Sequence, residues 1–107
     1  MFGENGNKNK SDAKRASRIL ECLSSPVRLL IVCSLIDGAK NVSAFSSKIG
    51  TTKGNISQHL RILEDNGILE SEKRGNMVFY SIKNRKVINL IKEIKKICSE
   101  EKLASIK

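Results

Sequence analysis

The side chains best suited to chemistry lie in NISQHLRILEDNGILESEKRGNMVFYSI, residues 55–82. Ser57, Gln58 and Arg61 share the polar side of a helical run. An amide such as Gln58 makes a paired hydrogen bond to adenine, and a guanidinium such as Arg61 reaches guanine or a phosphate. Beyond the helix, Lys73-Arg74-Gly75-Asn76 forms a basic tip between two strand-like runs. Such a tip suits the flanking backbone or the minor groove. A helix that enters a groove, followed by a basic hairpin, is the working end of a winged helix-turn-helix. The residues therefore point to double-stranded DNA. The expected DNA face comprises Thr52, Lys53, Asn55, Ser57, Gln58 and Arg61 on and before the helix, with Lys73, Arg74 and Asn76 on the hairpin.

A second reactive set is sulfur. Cys33 sits in RLLIVCSL and Cys98 in IKKICSE, both on or near apolar helical stripes. Free cysteine often serves as a small buried hydrophobe, so two inert core residues are one reading. A redox-active pair is the other. Cys22 is a spectator, a resolving thiol or a ligand. Three widely spaced cysteines do not make a secreted disulfide scaffold, and no CxxC pair is present. The lone histidine, His59, falls beside the buried stripe of its helix, which favours packing or backbone bonding over a ligand role.

Charge agrees with a polyanionic partner. Twenty Lys plus Arg against eleven Asp plus Glu give a formal charge of +9 over 107 residues. Such a balance attracts phosphate backbones and releases their counterions. No apolar run approaches the ~20 residues of a membrane span. The polar start MFGENGNKNKSD lacks the apolar region of a secretory signal, so a cytoplasmic location is expected. No nucleophile–base set or phosphate-cradling loop is present, which argues against an enzyme, and no cofactor is expected.

The elements that must position these groups follow from pattern. Residues 1–11, rich in Asn, Gly and Lys, are expected to be a disordered tail, and residues 12–107 one winged-helix DNA-binding and dimerisation domain. A first helix is predicted over 12–23, with Ile19, Leu20 and Leu23 on one side. Ser25-Pro26 starts a second, VRLLIVCSLI, apolar nearly all round and hence central, with Asp37-Gly38 ending it. A short third helix spans 42–49. Thr52 caps a fourth over 53–66, whose buried stripe is Ile56, Leu60 and Leu63, with Gly54, Gln58 and Arg61 opposite. Strands at 68–73 and 77–82 pair about Gly75-Asn76, with Val78, Tyr80 and Ile82 alternating against Met77, Phe79 and Ser81. A last helix over 84–104 carries Val87, Leu90, Ile91, Ile94, Ile97 and Cys98 as one stripe. It is longer than a small domain needs, which predicts a helix-to-helix dimer seam. The fold class is mainly α with a β-hairpin wing.

This order of elements resembles the ArsR/SmtB family of repressors over residues 15–104. The likeness is carried by SSPVRLLIV, SQHLRILEDNGIL and RGNMVFYSI. The resemblance implies a homodimer joined through the first and last helices, an imperfect palindromic operator, and release by an inducer. Metal-sensing members place a Cys-x-Cys cluster at or before the third helix, where this chain reads NVSAF. Others use Asp and His on the last helix, where this chain has Lys and Ile. Neither common site can be built, so no metal is expected. The placement of Cys33 and Cys98 is similar to the thiol-sensing BigR/HlyU/SqrR-like branch. That likeness implies a dithiol that closes a disulfide or polysulfide bridge with oxidants or reactive sulfur. The alternatives are a metal-responsive repressor using Cys22, Cys33 or Cys98, and a non-sensing winged-helix module of a larger transcription assembly.

Overall fold

The computed structural model describes residues 6–106, with side-chain surroundings for residues 9–100. The chain runs α1 (Gly6–Cys22), α2 (Pro26–Ser34), α3 (Val42–Ile49), α4 (Lys53–Asp65), β1 (Leu69–Arg74), β2 (Met77–Ile82) and α5 (Lys86–Ile106). Helix α1 begins about six residues earlier than expected. Residues 6–11 contain no proline or β-branched residue to stop it. Asp12 is buried and accepts from the Arg15 guanidinium at 2.8 Å across one turn, which fixes it inside the helix. The tail expected over residues 1–11 is thus helical from Gly6, and residues 1–5 lie outside the described residues.

Local chemistry sets the other boundaries. Ser25 caps α2 by accepting from the Arg28 N–H at 3.4 Å, with Pro26 in the first turn. Asn41 caps α3, whose end at Gly50 takes φ 79°, the left-handed conformation that glycine adopts without strain. Thr52 caps α4 through the Asn55 N–H at 3.1 Å. Helix α2 stops sooner than expected, at Ser34. The Asp37-Gly38 pair lies in the following turn rather than forming its cap. The Lys40 ammonium instead reaches back to the Ser34 carbonyl and to Asp37, satisfying the end of the helix.

The core lies where α2, α3, α4 and the base of the hairpin meet. Ile31, Val32, Phe45, Ile56, Leu60, Leu63, Ile68 and Leu69 are buried there. Full burial of each such side chain contributes about 1.5–3 kcal/mol. Helix α2 is not buried all round: Leu30 is 53% exposed. From α5, Ile88 and Ile91 enter the core, Leu90 and Ile94 are half-buried, and Ile97 is 54% exposed.

The hairpin is antiparallel, with Leu69 opposite Ile82 and Arg74 opposite Met77. Its two-residue loop puts Gly75 at φ 62°, while no described non-glycine residue has positive φ. Glycine first and a negative φ second is the type II′ pattern. The expected alternation along β2 gives way to a gradient: Met77 and Val78 at the tip are exposed, Phe79, Tyr80 and Ser81 are half-buried, and Ile82 at the base is buried. The tip projects beyond anything that could cover it. A feature absent from the sequence pattern anchors the base. Lys40 and Tyr80 exchange backbone hydrogen bonds at 3.1 and 2.8 Å, adding a one-residue third strand from the α2–α3 turn.

Candidate nucleic-acid interface

Helix α4 is amphipathic at the expected period. Ile56, Leu60 and Leu63 are completely buried, which fixes the rotation of the helix about its axis. That rotation leaves Lys53, Gly54, Ser57, Gln58 and Arg61 exposed. The cap residue Thr52 is exposed beside them, at the end of the helix where backbone N–H groups favour a phosphate. Asn55 departs from the expected set. It is half-buried, and its amide donates to the Thr51 hydroxyl at 3.1 Å, so it braces the turn before α4.

On the wing, Lys73, Arg74 and Asn76 are all exposed. The Arg74 guanidinium lies over the Phe79 ring at 4.8 Å from its centroid and 3.3 Å from the Glu72 carboxylate. These contacts hold its stem flat on the strand and aim the charge, and exposed pairs of this kind yield readily to a phosphate. Lys73 stands without such ties among the hydrogen bonds and ion pairs described. The recognition helix and the basic tip are thus held on one scaffold: β1 packs directly on α4, as do α2 and α3.

Sequence reasoning missed Arg28. Its Nε donates to the Cys22 carbonyl at 2.6 Å and its Nη2 to the Glu21 carbonyl at 3.5 Å, the last carbonyls of α1. Its Nη1 lies 3.2 Å from His59 Nδ1 on α4. The expectation that His59 packs locally therefore needs one amendment: its ring nitrogen meets a side chain of α2. Burial first, and the Arg28 charge second, push the imidazole below its usual value. The signal available in the sequence was Arg28 two residues after Pro26, at the first turn of α2, where a long donor can reach back to the preceding helix.

The cysteines differ in setting. Cys22 is buried, and burial pushes its thiol up. Cys33 is half-buried in a cleft of about 300 Å³ shared with Leu30, Ser34, Lys48 and Ile49. Cys98 is exposed on the distal half of α5. Helices α2 and α5 make no extensive contact with each other. Among the described residues no group of three or more His, Cys, Asp or Glu side chains gathers as a metal site would need.

An exposed helix face carrying Lys53, Gln58 and Arg61, followed by a hairpin with a Lys73-Arg74 tip, is the arrangement of a winged-helix DNA-binding transcriptional regulator. Residues 25–71 match the family described as "Bacterial regulatory protein, arsR family". A biofilm growth-associated repressor of Xylella fastidiosa is 33% identical over 93 residues, covering 86% of this chain and 82% of its own. The crystal structure of the transcriptional repressor BigR from Xylella fastidiosa superposes with TM-score 0.76 at 29% identity, over 88% of this chain and 96% of that one. Reduced HlyU from Vibrio cholerae superposes with TM-score 0.77 at 26% identity, over 84% and 95%. The chain belongs to the ArsR family, and it is similar to the BigR–HlyU branch within it. No helix among the described residues is long and apolar enough to cross a membrane.

Proposed function

We propose that this chain is a homodimeric, cytoplasmic repressor that binds an imperfect palindromic operator and is released when Cys33 and Cys98 react with oxidants or reactive sulfur. The chain from Gly6 onward, rather than from residue 12, serves as its DNA-binding and dimerisation domain. The observation that carries the DNA reading is the rotation of α4, which buries Ile56, Leu60 and Leu63 and turns Ser57, Gln58 and Arg61 outward. Gln58 reads a base and Arg61 a base or a phosphate, while Lys53, Lys73, Arg74 and Asn76 hold the backbone. Thr52 and Asn55 set the entry of the helix. Repression follows the Xylella repressors to which the chain is similar.

Dimerisation is supported by what a single chain leaves open. Leu20 of α1 is 56% exposed, and Ile97 of α5 is similarly bare. The radius of gyration is 16.0 Å, against about 13 Å for a compact chain of this length. A chain this spread out gains by burying its arms against a second copy.

The DNA reading is tested on the tightest duplex selected by this protein from a random library. Gln58→Ala costs about 1–3 kcal/mol on that duplex and relaxes its sequence preference. Lys73→Ala weakens all duplexes alike and flattens the salt dependence, because a phosphate contact releases counterions without reading sequence. Unchanged specific affinity for Gln58→Ala, measured by fluorescence anisotropy, would show that another face of α4 does the reading.

The dithiol is supported by the resemblance to the thiol-sensing branch and by two reachable thiols, one beside a cleft and one exposed. With a peroxide, the two thiols give up two protons and two electrons and close a disulfide, while the peroxide takes both up and becomes two waters. An inorganic polysulfide leaves sulfur between the two thiols, takes up their hydrogens and departs as hydrogen sulfide. Intact mass distinguishes the two: loss of two hydrogens for the disulfide, added sulfur for the polysulfide bridge. Treated protein whose mass stays that of the fully reduced chain would contradict the dithiol.

A further inference from the structure

One guanidinium joins three elements. Arg28, held in the first turn of α2 by the Ser25 cap, donates to the carbonyls of Cys22 and Glu21 that end α1. Its remaining arm points at His59 Nδ1, 3.2 Å away on α4. Arginine has five donors and no acceptor. The contact therefore forms only when His59 Nδ1 offers a lone pair, which places the ring proton on Nε2. His59 directly follows Gln58 and precedes Arg61 by two residues, so its position bears on how both are presented.

We propose that Arg28 and His59 are positioning residues for DNA reading: the guanidinium ties the end of α1 to the neutral imidazole and so sets where α4 presents Ser57, Gln58 and Arg61. This rests on α4 being the recognition helix. Because α1 also belongs to the proposed dimer seam, the same tie fixes each recognition helix relative to that seam. Two half-sites are then met together, which requires a set spacing.

Protonation of His59 removes the acceptor and sets two cations against each other. The charged groups at this junction are Arg28 of α2 and, along the adjoining cleft, Arg18 and Glu21 of α1, with Cys22 and Asn66 also lining it. The charged residues of α4 itself are Lys53, Arg61, Glu64 and Asp65, and Glu64 is turned to the Ser71 hydroxyl of β1. Burial and Arg28 both oppose the charged imidazole. The folded chain thus binds this proton less readily than the unfolded one. The contact is fully present above the unfolded value of about 6.5 and is lost as pH falls through the lower folded value.

A generic histidine near DNA behaves in the opposite sense, since an added positive charge strengthens phosphate binding. The test is anisotropy on the library-selected duplex from pH 8 to pH 5.5 at constant salt, for wild type, His59→Asn and His59→Leu. Asparagine keeps a neutral acceptor close to the Nδ1 position, and leucine keeps none. Wild-type affinity falls about tenfold on acidification, as expected for loss of one charge-assisted hydrogen bond. His59→Asn binds like wild type at pH 8 and stays flat, and His59→Leu is weak throughout. The proposal is overturned if wild-type affinity is unchanged or rises in acid. It is equally overturned if His59→Asn follows the wild-type profile, or is as weak at pH 8 as a protein lacking Arg28, made as Arg28→Gln. Because His59 is the only histidine, its nitrogen resonances report the tautomer directly, and a protonated Nδ1 at pH 8 also overturns it. Failure of wild type to bind any duplex would count against the DNA reading itself, a separate result.

Discussion

Replacing Leu90 and Ile94 by glutamate yields monomers whose operator affinity is lower by about a hundredfold or more. Both residues are half-buried in the single chain, one turn apart on α5. Ile88 and Ile91 on the neighbouring face already fill the core of their own protomer. Leu90 only partly meets that core, and the Ile94–Ile97 edge beyond it is left for another surface, while α1 offers Ile19 and Leu20 as exposed apolar partners. Two charges in that seam cannot be desolvated without a counterion. Affinity drops steeply because a dimer engages its second half-site intramolecularly, which is worth about 10²–10⁴-fold. Leu90 also packs against the core of its own protomer, so Ile94→Glu alone, which leaves that contact in place, is measured beside the double variant, with circular dichroism reporting the fold of both. Sedimentation velocity checks the claim, and a wild-type protein that sediments as a monomer at micromolar concentration would contradict it.

Bridging Cys33 to Cys98 releases the operator, whereas Cys33→Ser and Cys98→Ser proteins stay bound under the same treatment. A disulfide brings its Cα atoms to about 4.4–6.8 Å. Helix α2 is packed on α3 and α4, and its Cys33 opens into the cleft beside Leu30, Lys48 and Ile49. Helix α5 is anchored by Ile88 and Ile91 at its start, while Ile97 and Cys98 stand exposed further on. The element that gives way is therefore the distal half of α5. Drawing it toward α2 shifts the edge that carries Ile94 and Ile97 and so alters the seam between protomers. The spacing of the recognition helices changes, and both half-sites can no longer be met at once. The loss is of the same order as splitting the dimer, about a hundredfold, because the same intramolecular advantage is forfeited. Cys22→Ser is expected to leave the response unchanged, because Cys22 is buried and burial pushes its thiol up, which makes it less reactive.

Much of this molecule was legible because local signals agreed with the packing. Ile56, Leu60 and Leu63 recur at helical spacing and are the completely buried residues of α4, so the outward face could be read from the same eight residues. Ser25-Pro26, Thr52 and Gly50 act through their own backbone neighbours, which makes their roles visible in sequence. What escaped depends on contacts between distant segments. The early start of α1 is a local exception: residues 6–11 carry nothing that stops a helix, although their Asn-, Gly- and Lys-rich composition reads as a tail. The one-residue strand at Lys40 exists only because β2 arrives beside it. Asn55 was expected on the DNA face, but a hydrogen bond to Thr51 occupies its amide. Arg28 and His59 are 31 residues apart, and neither pattern nor propensity pairs them. The second helix misled in a different way: an all-apolar run suggested full burial, yet Leu30 is exposed, since a small domain has too few elements to surround it.

The most direct measurement follows anisotropy of the library-selected duplex as inorganic polysulfide is added to the reduced protein and then removed with dithiothreitol, with intact mass taken at each stage. The account predicts that wild type releases the duplex as the Cys33–Cys98 bridge appears and rebinds when it is reduced, while Cys33→Ser and Cys98→Ser proteins remain bound throughout. Wild type that stays bound while its mass and peptide map show Cys33 bridged to Cys98 would contradict it.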